Sequence, residues 1–211
     1  MYLEKGGTMK QVEITTYVNN TLQEVDGILK KQGFRVIRKS RIEDIYKTLK
    51  YNELNKDNIL DILSKSVLIR YLKVNGTDEY KKLTYKNKIY DNNMVISEEK
   101  INVTIDDIDK MDKLLELIGL KTIVNVNYDV VVYSNDDIEL CFQNVENLGL
   151  LLEYENKNDY EGHTNEKILN EKHKMLSEIK KYGLNISNDI DVKKAFELIN
   201  HIFLSIDKEK I

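Results

Sequence analysis

The sequence lacks several features that would each point to a particular class of protein. Proline is absent and no serine-rich stretch is present, so no linker of either kind divides the chain, and we expect one domain over residues 1–211. The single cysteine, Cys141, excludes an internal disulfide and fits a reducing cytoplasm. No apolar run approaches about 18 residues, which argues against a membrane span. The opening MYLEKGGTMK has no apolar core, so we expect no secretory signal.

Positive charge is not in excess either. Thirty-two Lys and Arg stand against 36 Asp and Glu, a net charge of −4, which argues against a nucleic-acid binder with a broad basic surface. Gly6-Gly7-Thr8 lacks the spacing of a phosphate-binding loop. The three histidines have no metal-ligand spacing and are interpreted as surface residues: His163, His173 and His201.

The same order of predicted strands and helix occurs twice along the sequence. In the first half, a strand at 12–18 precedes a helix that begins at a capping box of Thr21 and Glu24 and ends near Gly33. Further strands are predicted at 34–40, 66–74 and 81–86. In the second half, a strand at 101–105 precedes a helix whose apolar face is Ile108, Met111, Leu115 and Ile118. Strands then follow at 124–133, 138–143 and 148–155.

Two β-α-β-β-β halves supply about eight antiparallel strands. That number is enough for a closed or nearly closed β-barrel with the helices outside, so the predicted fold class is α+β. The segment 42–65 is interpreted as a polar insertion with some helical character. The segment 165–204 is predicted to form two helices on either side of Gly183.

Residues 138–155 carry the first candidate site. Successive side chains on a strand point to opposite faces, so Glu153 and Glu155 share a face. A cation between them would relieve their mutual repulsion, and hard oxygen ligands suit Mg²⁺ or Mn²⁺. The alternative is a strand edge with two acids facing water. Cys141, with no basic neighbour in the sequence, is interpreted as a buried, inert thiol.

An eight-stranded barrel has an interior that is filled by side chains or holds one small ligand. Strand alternation places Arg70 between Leu68 and Leu72 on one face and Lys82 with Lys86 on another. Inward charges are costly unless they are paired, metal-bound or ligand-bound. An inward set of acids and cations would therefore indicate a metal and an anion, whereas outward charges would only solvate the surface.

A series of short motifs resembles one family along nearly the whole chain. The motifs are Glu13-Ile14-Thr15-Thr16-Tyr17, Gly33-Phe34, Asp44-Ile45-Tyr46, Val67-Leu68-Ile69-Arg70, Leu83-Thr84-Tyr85-Lys86, residues 142–155, and Lys194-Ala195-Phe196-Glu197-Leu198-Ile199. An acidic strand position falls at Glu98 or Glu99. Their order and spacing resemble the CYTH superfamily, the triphosphate tunnel enzymes that include class IV adenylate cyclases and thiamine triphosphatases.

The resemblance implies a ligand and a cofactor. A small triphosphorylated molecule would be gripped by Arg70 and Lys86, and Mg²⁺ or Mn²⁺ would be held by Glu13, Glu153 and Glu155. Hydrolysis of the terminal phosphate and cyclisation of ATP both remain open, and no catalytic residue is assigned. A homodimer is also left open.

Several positions depart from the family pattern, and they keep a second function open. Neutral side chains replace charged ones at Thr15, Tyr17, Leu68 and Gln143, and residues 122–156 contain no Lys or Arg. Asn125, Asn127 and Asp129 are expected in that part of the tunnel. The alternative is a catalytically inactive tunnel that binds another ligand or a protein. Four or more inward cations would favour the enzyme.

Overall fold

The computed structural model describes residues 12–91, 94–156, 158, 160 and 162–208; the side chains at 78, 86–91, 94–100 and 206–208 are outside the description. The strands are β1 (Val12–Tyr17), β2 (Arg35–Thr48), β3 (Val67–Val74), β4 (Asp78–Asp91), β5 (Met94–Thr104), β6 (Lys121–Ser134), β7 (Glu139–Val145) and β8 (Gly149–Asn156). The helices are α1 (Leu22–Lys31), α2 (Ile59–Ser64), α3 (Ile108–Leu117), α4 (Asn165–Lys180) and α5 (Lys194–Lys208).

The eight strands form one strongly curled antiparallel sheet in the order β1-β8-β7-β6-β2-β3-β4-β5. The order is symmetric about the β6–β2 ladder, with each half contributing a strand, a helix and three strands. The first strand of each half pairs with the last strand of the other, β1 with β8 and β5 with β4. Within the described residues no ladder joins β5 to β1. The predicted α+β fold of two β-α-β-β-β halves in a nearly closed sheet is confirmed.

The helix signals in the sequence act as predicted. The Thr21 hydroxyl accepts a hydrogen bond from the Glu24 N–H at 3.3 Å, and the Glu24 carboxylate accepts one from the Thr21 N–H at 2.7 Å. These two bonds satisfy donors that the start of α1 would otherwise leave unpaired. Beyond its C-terminus Gly33 has φ +83°, a left-handed conformation in which a side chain would be strained.

One prediction about β2 is wrong. Residues 42–48 were expected in a polar insertion, but they continue β2, pairing with β6 to Thr48 and with β3 to Lys47. The reason is a period of two, because Ile42 and Tyr46 pack on one face and Ile45 packs on the other. Helical structure in the expected insertion is confined to a 3₁₀ turn at Tyr51–Glu53 and to α2.

The outer face of the sheet is defined by Tyr133 and Leu152 under α1 and α4, and by Ile69 under α3. Beneath α3 the Lys47 side chain is fully buried, with Nζ 2.7 Å from Asp112 Oδ1. Their geometry is that of an ion pair rather than a well-angled hydrogen bond. This contact ties β2 to α3.

The C-terminal segment runs along the free edge of β1. The N–H of Thr15 donates to the carbonyl of Ile190 at 3.2 Å, and the N–H of Val192 donates to the carbonyl of Thr15 at 3.0 Å. An exposed strand edge invites pairing with other chains, and this segment covers it. It also delivers α5 onto the face opposite α1, α3 and α4. No helix in the described part of the chain has the length and apolarity that crossing a membrane would need.

Candidate functional site

The inner face of the sheet is defined along β6 by apolar side chains and one tyrosine: Val124, Val126, Tyr128, Val130 and Val132. The helix α5 and the segment that leads into it cover this wall with Val192, Ala195, Leu198 and Ile199. Residues opposite each other in a ladder share a face, so the β6 register assigns the inner face of the neighbouring strands. The polar residues of this face are confined to its two sides.

On one side, β3 and β2 hold a buried ion pair. Arg70 donates to Asp44 through Nε at 2.7 Å and Nη2 at 2.6 Å, and Nη2 lies 3.4 Å from the Tyr128 hydroxyl. Asp44 is only 1% exposed. Burial alone would lower the pKa of the Arg70 guanidinium, but the Asp44 carboxylate outweighs it and the pKa is raised. Burial and Asp44 together raise the pKa of Tyr128, so its hydroxyl stays protonated.

On the other side, three residues form what we term the lysine cluster: Gln143 on β7, Glu153 on β8 and Lys194 on α5. The Gln143 amide donates to Glu153 Oε2 at 2.8 Å, and its carbonyl accepts from Lys194 Nζ at 2.5 Å. Lys194 Nζ also lies 3.5 Å from Glu153 Oε2 and 5.0 Å from the centre of the Tyr128 ring. The ammonium therefore has an amide oxygen, a carboxylate and an aromatic face as partners.

Cys141 lies beside this cluster. Its Cα is paired with that of Glu153 across the β7–β8 ladder. Burial and the Glu153 charge raise the pKa of the thiol to about 11. A protonated thiol is a poor nucleophile, so the interpretation of Cys141 as inert agrees with its surroundings.

Two exposed cations complete the inner face. Lys82 is directly opposite Arg70 on the β3–β4 ladder, and Arg38 is opposite Val132 on the β2–β6 ladder. Their sequence neighbours Lys81 and Lys39 fall on the outer face by strand alternation. Within the described chain neither Arg38 nor Lys82 has a hydrogen bond or ion pair that fixes its charge. With Arg70 and Lys194, four cations among the described side chains share this face.

The predicted metal ligands share a face but do not converge. Glu13 is directly opposite Glu155, and Glu153 is opposite Thr15. Glu13 and Glu155 are exposed, and the Thr15 hydroxyl donates to Glu13 at 3.3 Å. No group of three or more His, Cys, Asp or Glu side chains in the described chain is placed to hold a metal ion. With Glu153 already bound to an amide and an ammonium, these residues as they stand do not fit Mg²⁺ or Mn²⁺.

Two predicted site positions lie on β4 and β5: Lys86, and the acidic position at Glu98 or Glu99. Lys86 lies in β4 with its Cα opposite that of Lys100, and Glu98 and Glu99 lie in β5. The side chains of all four are outside the described part of the chain. The assignment of Lys86 to phosphate binding therefore stays a prediction.

The four residues that depart from the family pattern lie on the inner face. Leu68 is 1% exposed, and Gln143 is 3% exposed within the lysine cluster. Thr15 is buried beneath the segment that covers β1. Burial, Glu197 and Asp189 raise the pKa of Tyr17 to about 12. Neutral side chains therefore fill positions where the family pattern has charged ones.

Three residues expected in the tunnel lie on the outer face instead. Asn125 and Asp129 are exposed, and Asn127 donates to Glu146 at 3.2 Å. Asp129 Oδ2 lies 3.5 Å from Arg41 Nη1. Because side chains alternate along β6, Val124, Val126 and Val130 take the inner face, and the polar residues between them take the other.

An open groove of about 520 Å³ lies between α5 and the start of β6. His201, Asn125 and Leu198 are among the residues that line it, and none of its lining residues is Lys or Arg. It is separate from the polar residues of the inner face, so we do not regard it as the candidate site. All three histidines are exposed, as the sequence predicted.

Two residues of the site, Asp44 and Lys194, lie within sequence motifs that did not predict a role for them. The signal for Asp44 was the period of two through 42–46, which places it on the face of Tyr46. For Lys194 no local pattern shows that α5 packs on the inner face, because that depends on the path of residues 185–192.

Comparison with known proteins assigns the family. The chain is 30% identical over 190 residues to a Methanocaldococcus jannaschii protein provisionally named an adenylate cyclase, covering 89% of this chain and 97% of the relative. The PH1819 protein of Pyrococcus horikoshii has a similar structure, with TM-score 0.63, 23% identity and coverage of 91% and 99%. So has a Hippeastrum protein, provisionally an adenylyl cyclase and described as having a dominant triphosphatase activity, with TM-score 0.54, 12% identity and coverage of 91% and 96%.

No protein-family model matches the chain. The curved eight-stranded antiparallel sheet, with charged side chains on its inner face, is the tunnel-type fold that these structures share. Together with the identity to the Methanocaldococcus relative along nearly the whole length, this shows that the chain belongs to the CYTH superfamily.

Proposed function

We propose that the inner face binds a small triphosphorylated molecule and hydrolyses its terminal phosphate. The observation that carries the proposal is the set of four cations on one face: Arg38, Arg70, Lys82 and Lys194. Two of them, Arg70 and Lys82, are directly opposite on neighbouring strands. Asp44 offsets part of the repulsion between these two cations, and an anion between them would remove what remains.

The cations differ in what they can give a ligand. Arg70 is held by Asp44, so it offers a fixed guanidinium edge at little cost in side-chain entropy. Lys82 and Arg38 are exposed and can turn toward phosphate oxygens. Each charge-assisted hydrogen bond to phosphate contributes about 1.5–3 kcal/mol. Three such bonds at the upper end of this range supply the roughly 8 kcal/mol that corresponds to micromolar binding of a polyphosphate chain.

Hydrolysis is preferred over cyclisation on chemical grounds. Phosphoryl transfer depends mainly on positioning and on electrostatic stabilisation of the transferred group, which fixed cations provide. Cyclisation also requires a ribose hydroxyl to be positioned and deprotonated. The dominant triphosphatase activity of the Hippeastrum neighbour supports the same choice by analogy. We assign no step to a metal ion, because the acids of the inner face do not converge on one.

A second candidate is a tunnel that binds the triphosphate without turnover. It is favoured by Gln143, a neutral amide where the family pattern has an acid, and by the valine wall of β6. A binder of this kind would keep the contribution of Lys82 to affinity but release no phosphate. It would act in the cytoplasm, which the single cysteine favours.

Phosphate release from tripolyphosphate and from ATP, with cyclic AMP measured in parallel, tests the proposal. Lys82→Gln should lower phosphate release about tenfold, corresponding to about 1.4 kcal/mol. Lys81→Gln is the matched control, since it removes the same charge from the other face of the same strand, and it should leave the rate unchanged. Binding without phosphate release would support the second candidate. Cyclic AMP as the main product, or equal effects of the two variants, would contradict hydrolysis at this face.

A further inference from the structure

We propose that the Lys194 ammonium takes the place of a divalent metal ion at Glu153, so that the inner face binds a polyphosphate chain without metal. This inference rests on the proposed function, because it concerns the same ligand. It departs from the Mg²⁺ or Mn²⁺ that the family resemblance implies.

The position of Lys194 is fixed by the backbone rather than by chance contact. Thr15 is hydrogen-bonded to the segment before Lys194 in both directions, since its N–H donates to the carbonyl of Ile190 and its carbonyl accepts from the N–H of Val192. Thr15 is in turn opposite Glu153 on the β1–β8 ladder. Lys194, two residues after Val192, is therefore delivered next to Glu153. Packing of the rest of α5 on the valine wall holds it there.

The partners of the ammonium are those of a bound cation. Glu153 supplies a carboxylate oxygen at 3.5 Å, Gln143 supplies a carbonyl oxygen at 2.5 Å, and Tyr128 supplies its ring face at 5.0 Å. Only 19% of the Lys194 side chain is exposed. The ammonium and a divalent ion would compete for the negative charge of the same carboxylate, so Lys194 weakens the attraction of Glu153 for a metal ion.

Gln143 makes the arrangement selective for an ammonium. Its NH₂ group donates to Glu153, which orients its carbonyl toward Lys194. A carboxylate at this position could not donate to Glu153 and would repel it, and that repulsion is what a divalent ion relieves. The neutral amide therefore suits a single positive charge. Lys194 still faces the ligand side and can share its charge with a phosphate oxygen.

Mn²⁺ uptake by the ligand-free protein, measured by electron paramagnetic resonance, is the first readout. We expect no stoichiometric binding to the natural protein and binding at least tenfold tighter in Gln143→Glu/Lys194→Met, where a second acid replaces the amide and the ammonium is gone. Lys193→Met is the control, because Lys193 Nζ is bonded to Asp191 at 2.7 Å and not to the cluster. Stoichiometric Mn²⁺ binding by the natural protein would overturn the inference whether or not any polyphosphate binds.

Titration calorimetry with tripolyphosphate, in chelator and in Mn²⁺, is the second readout. The dissociation constant should differ by less than about threefold between the two conditions, and Lys194→Met should weaken binding in chelator about tenfold. Affinity at least tenfold higher in Mn²⁺ would refute metal replacement while leaving the proposed function intact. Absence of binding in both conditions would instead refute the proposed function and, with it, the metal-free binding inferred here.

Discussion

The Asp44–Arg70 pair offers a sharp test of the inner face. Arg70→Met keeps an unbranched side chain of similar length but leaves the Asp44 carboxylate, 1% exposed, without its cation. Removing one partner of a buried pair costs about 3–5 kcal/mol. Because 29% of the Arg70 side chain is exposed, water can reach the site from that side, so we expect the lower end, about 3 kcal/mol. For a chain of this size that lowers Tm by about 6–12 °C.

The double variant Asp44→Leu/Arg70→Met tests whether the loss of stability in Arg70→Met comes from the unpaired Asp44 charge or from disrupted packing. Apolar residues in place of both partners are often neutral or better, so the double variant should recover most of the loss. Urea unfolding at 25 °C, followed by circular dichroism, measures all four corners of the cycle. A cost below about 1 kcal/mol for Arg70→Met, or a double variant as unstable as the single one, would refute this account.

Three smaller predictions concern the helices. Thr21→Ala removes the capping box of α1 and should cost about 1 kcal/mol, whereas Thr21→Ser should restore it; equal Tm values for the two would contradict the cap. Gly33→Ala places a side chain at φ +83° and should cost about 1 kcal/mol in urea unfolding, with Gly27→Ala in α1 as a control expected to be neutral or stabilising. Burial, with Asp189, raises the pKa of Glu197 in the folded state. The ionised carboxylate therefore destabilises the fold above that pKa, and this cost disappears as the pH falls. Glu197→Gln should raise Tm at pH 7.5 and not at pH 4. A stabilisation that is independent of pH would rule out titration of Glu197 as its cause.

The fold followed from the sequence where local signals and strand alternation agreed. The capping box of α1 and the repeated order of elements are set by nearby residues, so they could be predicted. The length of β2 could not, because its polar residues at 43–47 looked like surface loop until β3 and β6 supplied partners on both sides. The length of β5 was underestimated for the same reason: only 101–105 has the apolar alternation of a strand.

The site was harder to predict because it depends on contacts between distant segments. Strand alternation assigns Glu153 and Arg70 each to a face of its own strand. Their partners could not be foreseen. Lys194 reaches Glu153 only because residues 185–192 pair with β1, a contact across more than 170 positions. Asn127 was misplaced because motif order gives the strand but not its register.

The central claim is that the inner face binds a triphosphate chain through its side-chain cations. Thermal unfolding of the natural protein, Lys82→Gln and Lys81→Gln with tripolyphosphate tests it most directly. A ligand at 100 times its dissociation constant adds about 2.7 kcal/mol, so the natural protein and Lys81→Gln should gain about 5–10 °C. Lys82→Gln should gain about half as much at the same concentration. No gain in the natural protein, or the same gain in all three, would contradict the claim.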